Sequence, residues 1–270
     1  MNKTIYFLFF LAITISCKNK GIVNEDPIPE HDSFTISSKI VNENRVINIW
    51  TPPNYKASTD RFNVLYMPDG GIKEDFPHIA NTLNTLLADK KIPPYILVGI
   101  ENTERGRDLT GFSEVEDDKQ YCPLTDGAKN FRAFIVEELI PEINKKYRTK
   151  NRKGILGESL AGLFVMETFL TKPETFDFYI AMDPSLWWNN NYLTQNADSL
   201  LSKFPDKTLK LWFAGSDTED ISKFTKSLND TLKNNAPQKL TWKYSDEPKE
   251  KHHTIFRATK EKAFIWSLHE

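Results

Sequence analysis

Apolar positions along the chain fall into short blocks whose period alternates between two and 3.6. Residues 34–36 and 46–50 are β-branched or apolar runs, the second stopped by Pro52-Pro53, and predict an opening antiparallel pair. Residues 62–67 (FNVLYM) predict a buried strand ended by the turn Pro68-Asp69-Gly70-Gly71. Ile79, Leu83, Leu86 and Leu87 recur at helical spacing, and residues 95–100 (YILVGI) form a further strand. Phe131, Phe134, Ile135, Leu139 and Ile143 mark a long helix with a possible kink at Pro141. A strand at 154–156 feeds a helix over 160–170, and strands at 178–182, 209–214 and 240–244 follow. Helices near 192–204 and 220–233 separate these strands, and a last helix over about 255–268 closes the chain. Strands alternating with helices of this length predict an α/β fold, a mostly parallel twisted sheet of about eight strands with helices on both faces. No interior linker interrupts the pattern, so residues 33–270 read as one domain.

The first 32 residues follow a different pattern. Asn2-Lys3 precedes the apolar run 5–15 (IYFLFFLAITI), which is too short to span a bilayer and reads as an export signal. Cys17 directly follows it, as in a bacterial lipoprotein signal in which the cysteine becomes the lipidated first residue; Thr14 stands where such signals usually carry Leu. The expectation is a signal over 1–17, a polar tether over 18–32 with two prolines, and an exported protein held in the cell envelope by its lipid. A secretory peptide cleaved near Ser16, or a short anchor, is the plainer alternative.

Composition narrows the function. Thirty-five Lys and Arg against 37 Asp and Glu leave a net charge of −2, which gives no electrostatic reason to bind nucleic acid. Two cysteines exclude a disulfide scaffold and a Cys-rich zinc site, and lipid on Cys17 leaves Cys122 without a partner.

In such a sheet, reactive groups gather at the carboxyl ends of the strands. Ser159, in Gly157-Glu158-Ser159-Leu160-Ala161-Gly162, lies between a strand and a helix as a nucleophile elbow requires, with Ala161 in the second Gly position. The Leu160 amide would face the oxyanion, and Gly70 or Gly71, after the early strand, would supply the second donor. A serine needs a base, and of five histidines only His252 and His253 lie in the loop before the last helix; His252 is the first choice. The orienting acid is sought after the strand 209–214, where Asp217, Glu219 and Asp220 compete and Asp217 is nearest the strand end. Arg105 and Arg107 are candidates for an anionic substrate group, and Trp187 and Trp188 for the pocket wall. Residues 111–127 are long enough for a lid or specificity loop. The chemistry calls for no cofactor and no metal.

Gly157 to Phe164, followed by Pro173-Glu174-Thr175-Phe176-Asp177 and Asp183-Pro184-Ser185-Leu186-Trp187-Trp188, resembles one esterase branch of the α/β-hydrolases. That branch includes enterochelin (ferric siderophore) esterases, feruloyl and acetylxylan carbohydrate esterases, and S-formylglutathione hydrolases. The run 101–110 (ENTERGRDLT) is similar to a second block of the family, and the resemblance covers about residues 35–268. It implies the α/β-hydrolase fold and serine-dependent hydrolysis of a small-molecule or oligosaccharide ester, siderophore-esterase-like first and carbohydrate-esterase-like second. It also implies that the base precedes a small residue and Ser or Thr, which favours His252, with His253 in the small-residue slot before Thr254. Some siderophore-esterase-like members are described as working with a Ser-His pair and no firm acid. Outside catalysis, the rival is a lipoprotein that kept the fold to bind a siderophore or glycan.

Overall fold

The computed structural model describes residues 26–269, so the expected signal segment, Cys17 and most of the tether lie outside the described residues. β1 (Asp32–Ser38) and β2 (Glu43–Trp50) pair antiparallel as their alternation demands. β3 (Phe62–Met67) is buried at every position and leads through α1 (Phe76–Ala88) to β4 (Tyr95–Ile100), equally buried. Short α2 (Arg105–Leu109) and a 3₁₀ turn at Glu116–Gln120 precede α3 (Gly127–Phe134) and α4 (Ile140–Lys146). The long helix expected over this region runs without a break from 127 to 146 and changes its winding near Pro141. Pro141 sits in the first turn of α4 and cannot donate to the preceding turn, and a π turn at Ile135–Leu139 takes up the mismatch.

β5 (Thr149–Glu158) then feeds α5 (Leu160–Thr171), whose mostly buried residues place it against the sheet. β6 (Phe178–Met182), α6 (Trp188–Gln195) and α7 (Ala197–Leu201) follow. α6 and α7 replace the single helix expected near 192–204. The chain ends with β7 (Leu209–Gly215), α8 (Glu219–Asn235), β8 (Leu240–Asp246) and α9 (His252–Ser267).

The strand order is β1-β2-β4-β3-β5-β6-β7-β8, and all pairings from β4 to β8 are parallel. The chain adds β4 on one side of β3 and then crosses to lay β5 on the other, so the carboxyl ends of β3 and β5 border a topological switch point. Strand alternation divides the core into two layers. Ile155, Tyr179 and Phe213 pack with Phe131 and Phe164 of α3 and α5, while Leu156, Ile180 and Trp212 pack with Phe76 and Phe264 of α1 and α9.

The described part of the expected tether lies along the domain. Asn81 Nδ2 donates to the Pro27 carbonyl at 2.7 Å, Asp26 pairs with Arg257, and the His31 ring meets Phe76 edge-on.

One cation among the described residues is wholly inside. Arg45 has no exposed surface; its guanidinium bridges Asp108 at 2.6 Å and Glu43 at 2.9 Å and lies over the rings of Phe131 and Phe134. A buried charge is tolerated only with such partners. Arg45→Ala would leave the buried Asp108 Oδ2 without the guanidinium it faces, with Arg107 only on Oδ1, and should cost about 3–5 kcal/mol. Urea unfolding monitored by tryptophan fluorescence measures this, and an unchanged midpoint would show that the network contributes nothing.

Candidate active site

Three parallel strands end in a non-glycine residue held in the left-handed region: Asp69 after β3 (φ 55°), Ser159 after β5 (φ 59°) and Asp183 after β6 (φ 48°). Each such residue is strained, and strain of this kind persists only where the surroundings fix it. For Ser159 the fixing is backbone: its N–H donates to the Met182 carbonyl at 3.0 Å, and its carbonyl accepts from Ser185 N–H at 3.1 Å. Gly157 makes the sharp turn possible, since a Cβ there would stand 2.4 Å from the Ala161 backbone. Ala161 is itself accommodated, fully buried, in the position where the elbow pattern usually has glycine.

His252 is the first residue of α9. Its Nε2 accepts from Ser159 Oγ at 3.0 Å, and its Nδ1–H donates to Asp183 Oδ2 at 2.6 Å. Asp183 is fully buried, and its carboxylate also accepts from Ser216 N–H at 2.6 Å and Ser216 Oγ at 2.9 Å. The carboxylate that bonds His252 is therefore Asp183 and not the expected Asp217. Asp217 lies on the surface and pairs with Lys251, the residue before His252. Glu219 and Asp220 occupy the exposed first turn of α8. His253 is exposed.

The expected oxyanion donors divide. Leu160 opens α5, so its N–H has no intrahelical acceptor. Gly70 N–H is spent on the Ile100 carbonyl at 2.9 Å, and Gly71 N–H on Glu74 Oε2 at 2.7 Å. Gly70 is therefore not an available donor, because it ties the β3 turn to the end of β4. Gly71 can meet an oxyanion only after Glu74 moves.

Glu158, between Gly157 and Ser159, was not singled out from the sequence. Its carboxyl approaches the working nitrogen of the base, with Oε1 3.7 Å from His252 Nε2. Burial pushes the Glu158 carboxyl up to about 8, against the opposing pull of His252 and Arg105. The hydrogen bond to Asp183 raises the His252 pKa above the ordinary histidine value, with a further contribution from the charge of Glu158.

Arg105 belongs to this cluster. It grips Asp69 with two hydrogen bonds, at 2.7 and 2.8 Å, leaving its other face near Glu158 and His252. Arg107 does not share that role. Its guanidinium is spent on Glu43 and Asp108, in the same buried network as Arg45. The two tryptophans also part. Trp187 is half-buried against the exposed Tyr121, whereas Trp188 is buried and donates from Nε1 to the Gly111 carbonyl at 3.0 Å, anchoring the 111–127 loop.

The chain has known relatives. The family model described as "Putative esterase" matches residues 38–266. Ferri-bacillibactin esterase BesA of Bacillus subtilis (strain 168) is 33% identical over 200 residues, 68% of each chain. The siderophore enterobactin esterase of Emericella nidulans is 37% identical over 79 residues, 28% of this chain and 26% of that one. Among solved structures, an IroE-like serine hydrolase from Shewanella oneidensis superimposes with a TM-score of 0.80 at 27% identity, over 87% of this chain and 79% of that one. The chain belongs to this esterase family, has its α/β-hydrolase fold, and is a siderophore-esterase-like carboxylic ester hydrolase.

The environment of His252 makes a pH prediction. A base must be neutral, so a raised pKa moves the acid limb of kcat/KM above the ordinary histidine value of about 6.5. Glu158 and His252 are close enough to titrate as a pair, in two macroscopic steps. Glu158→Gln should reduce the profile to one step, because a carboxyl held near about 8 is mostly protonated where the imidazole titrates and only its later ionisation is removed. A pH series with a neutral ester measures it, and a second step that survives the substitution would show that it does not come from this carboxyl.

Proposed function

We propose that Ser159, His252 and Asp183 are the nucleophile, base and orienting acid of this esterase, and that its substrate is a siderophore-like ester. The observation that carries the reading is the continuous line from Ser159 Oγ through His252 to buried Asp183, at 3.0 and 2.6 Å. His252 Nε2 takes the hydroxyl proton as Ser159 Oγ attacks the ester carbonyl, and the oxyanion meets the Leu160 N–H at the positive end of α5. Collapse expels the alcohol, which receives that proton from His252 and leaves an acyl-serine. Water, deprotonated by the same nitrogen, then releases the acid and restores Ser159. Arg105 is the cation on the same face, suited to a catecholate or carboxylate group of the substrate.

Circular dichroism and p-nitrophenyl acetate turnover test the assignment together. Ser159→Ala should fold normally and fall to background. Asp183→Asn should lose about 10³–10⁴-fold in kcat, because the base then loses its required tautomer. Asp217→Asn, a surface change, should stay within about twofold of the parent. The reverse ranking of the two aspartates would return the acid to Asp217. Turnover of ferric tris-catecholate trilactones beside feruloylated and acetylated xylo-oligosaccharides separates the siderophore reading from the carbohydrate one.

Export belongs to the same proposal. The run 5–15 ending at Cys17 supports a lipid anchor in the bacterial cell envelope, with the membrane as the partner only through that lipid. Labelled palmitate should enter the protein made in a bacterial host, and Cys17→Ser should abolish both labelling and partition into detergent. Labelling that survives the substitution would remove the anchor from Cys17.

A further inference from the structure

A groove of about 570 Å³ opens on the flank of the catalytic face, apart from the Ser159–His252 line. Its floor is one face of α5: Leu163, Glu167 and Thr171 recur at intervals of four, so they stack along the helix over about 12 Å, beginning one turn beyond the nucleophile. One lip is the loop 111–127, and the other is the start of α6. Each lip carries an aromatic ring with no core to fill, Phe112 at 58% and Tyr192 at 48% exposure. Single exposed aromatics are ordinary; a pair facing one concave surface marks a ligand site.

The backbone of the second lip is built against its own preference. Asn189, Asn190 and Asn191 are all left-handed, with φ of 49°, 49° and 51°. Asparagine enters that region more easily than most residues, but as single residues rather than in series. The loop 111–127 enforces the turn: Asn189 N–H donates to Asp118 Oδ2 at 2.9 Å, and Asn189 Oδ1 accepts from Glu114 N–H at 3.0 Å. The two lips are thus fastened to each other, and Asn190 is left exposed on the groove. Strain held in this way is found where a surface must present particular groups to a ligand.

The lining chemistry names the ligand class. Among the described residues no Lys, Arg or His lines the groove, whereas Glu114, Asp126 and Glu167 do, together with the amides of Asn190 and Gln195. Arg132 neutralises Glu167 alone, at 2.6 Å. Such a surface repels a ferric catecholate complex, which is anionic. It suits an uncharged molecule with hydroxyls to donate to carboxylates and amides and C–H faces to lie on rings.

We propose that this groove is a saccharide subsite that holds a neutral oligosaccharide between Phe112 and Tyr192. It goes beyond the siderophore-like ester proposed for the active site, because the groove is lined by neither Ser159 nor His252 and binding there does not rest on which ester is turned over. Its test reads binding, so the two can fail separately.

The experiment is calorimetric titration of the intact protein with xylohexaose, cellohexaose and mannohexaose, and with a ferric tris-catecholate as the anionic probe. At least one hexasaccharide should bind saturably, and Ser159→Ala should bind it equally well. Phe112→Ala and Tyr192→Ala should each weaken binding by about 5–10-fold while p-nitrophenyl acetate turnover stays within about twofold. Failure of all three saccharides to saturate in the low-millimolar range overturns the proposal. So does undiminished binding in the Phe112→Ala, Tyr192→Ala double variant. Binding of the ferric catecholate that those same substitutions abolish would overturn the ligand class.

Discussion

The carboxylate of Asp183 is the group around which the catalytic face is arranged. It is wholly buried, so as an anion it is tolerable only with donors, and it has three: the N–H and hydroxyl of Ser216 and the Nδ1–H of His252. Those donors lie after β7 and at the start of α9, while Asp183 follows β6, so one charge joins three elements that are distant in sequence. Its demand for the Nδ1–H also settles the imidazole. With that proton committed, Nε2 is left as the acceptor, and Ser159 is where it points. The peptide next to Asp183 completes the junction, because the Met182 carbonyl accepts from the N–H of Ser159. Asp183, His252 and Ser159 are therefore placed by one set of bonds.

Much of this arrangement is legible in the chain. The alternation of strands and helices yields the sheet, and the Gly157–Gly162 run identifies the elbow because a tight turn leaves few residue types to choose from. His252 follows by elimination and by its place before the last helix. The acid does not follow. Strand-end reasoning says that it stands at a carboxyl end, but which strand end reaches the base is a tertiary fact. Three carboxylates draw attention to the end of β7, whereas Asp183 directly follows five buried residues and precedes a proline, where a solvated charge has no place. Lys251 then takes Asp217, an attraction that spacing cannot reveal across 34 residues. Glu158 was hidden for the opposite reason: the middle position of an elbow accepts many residues, so its type carries no signal until the fold buries it. Helical spacing likewise hides the left-handed asparagines, since Leu193, Ala197 and Leu201 keep the period on either side of the turn.

Charge separates two surfaces that share α5. On the catalytic side, Arg105 faces Asp69, Glu158 and the His252–Asp183 pair, so a cation is held where negative charge develops. On the flank, carboxylates and amides stand without a lining cation. One helix thus presents its positive end to the ester and its side to a region that favours uncharged hydroxyls. A substrate that met both would carry its acyl carbonyl at one and its bulk along the other, and affinity gained on the flank would not depend on the protonation of His252.

The oxyanion side shows the same economy of charge. The Gly71 N–H already faces a carboxylate oxygen of Glu74 at 2.7 Å, and Glu74 also accepts from the Asn102 N–H. An amide aimed at an anionic oxygen has the orientation that a tetrahedral intermediate requires, but here it is occupied. Burial raises the Glu74 pKa, so the acid that holds the amide is easier to neutralise than a surface carboxyl and releases its hold more readily once protonated. Leu160 needs no such release, because the start of α5 leaves its N–H unspent. The two donors therefore differ in kind: one is set by the fold of the elbow, and the other depends on the state of a neighbouring carboxyl.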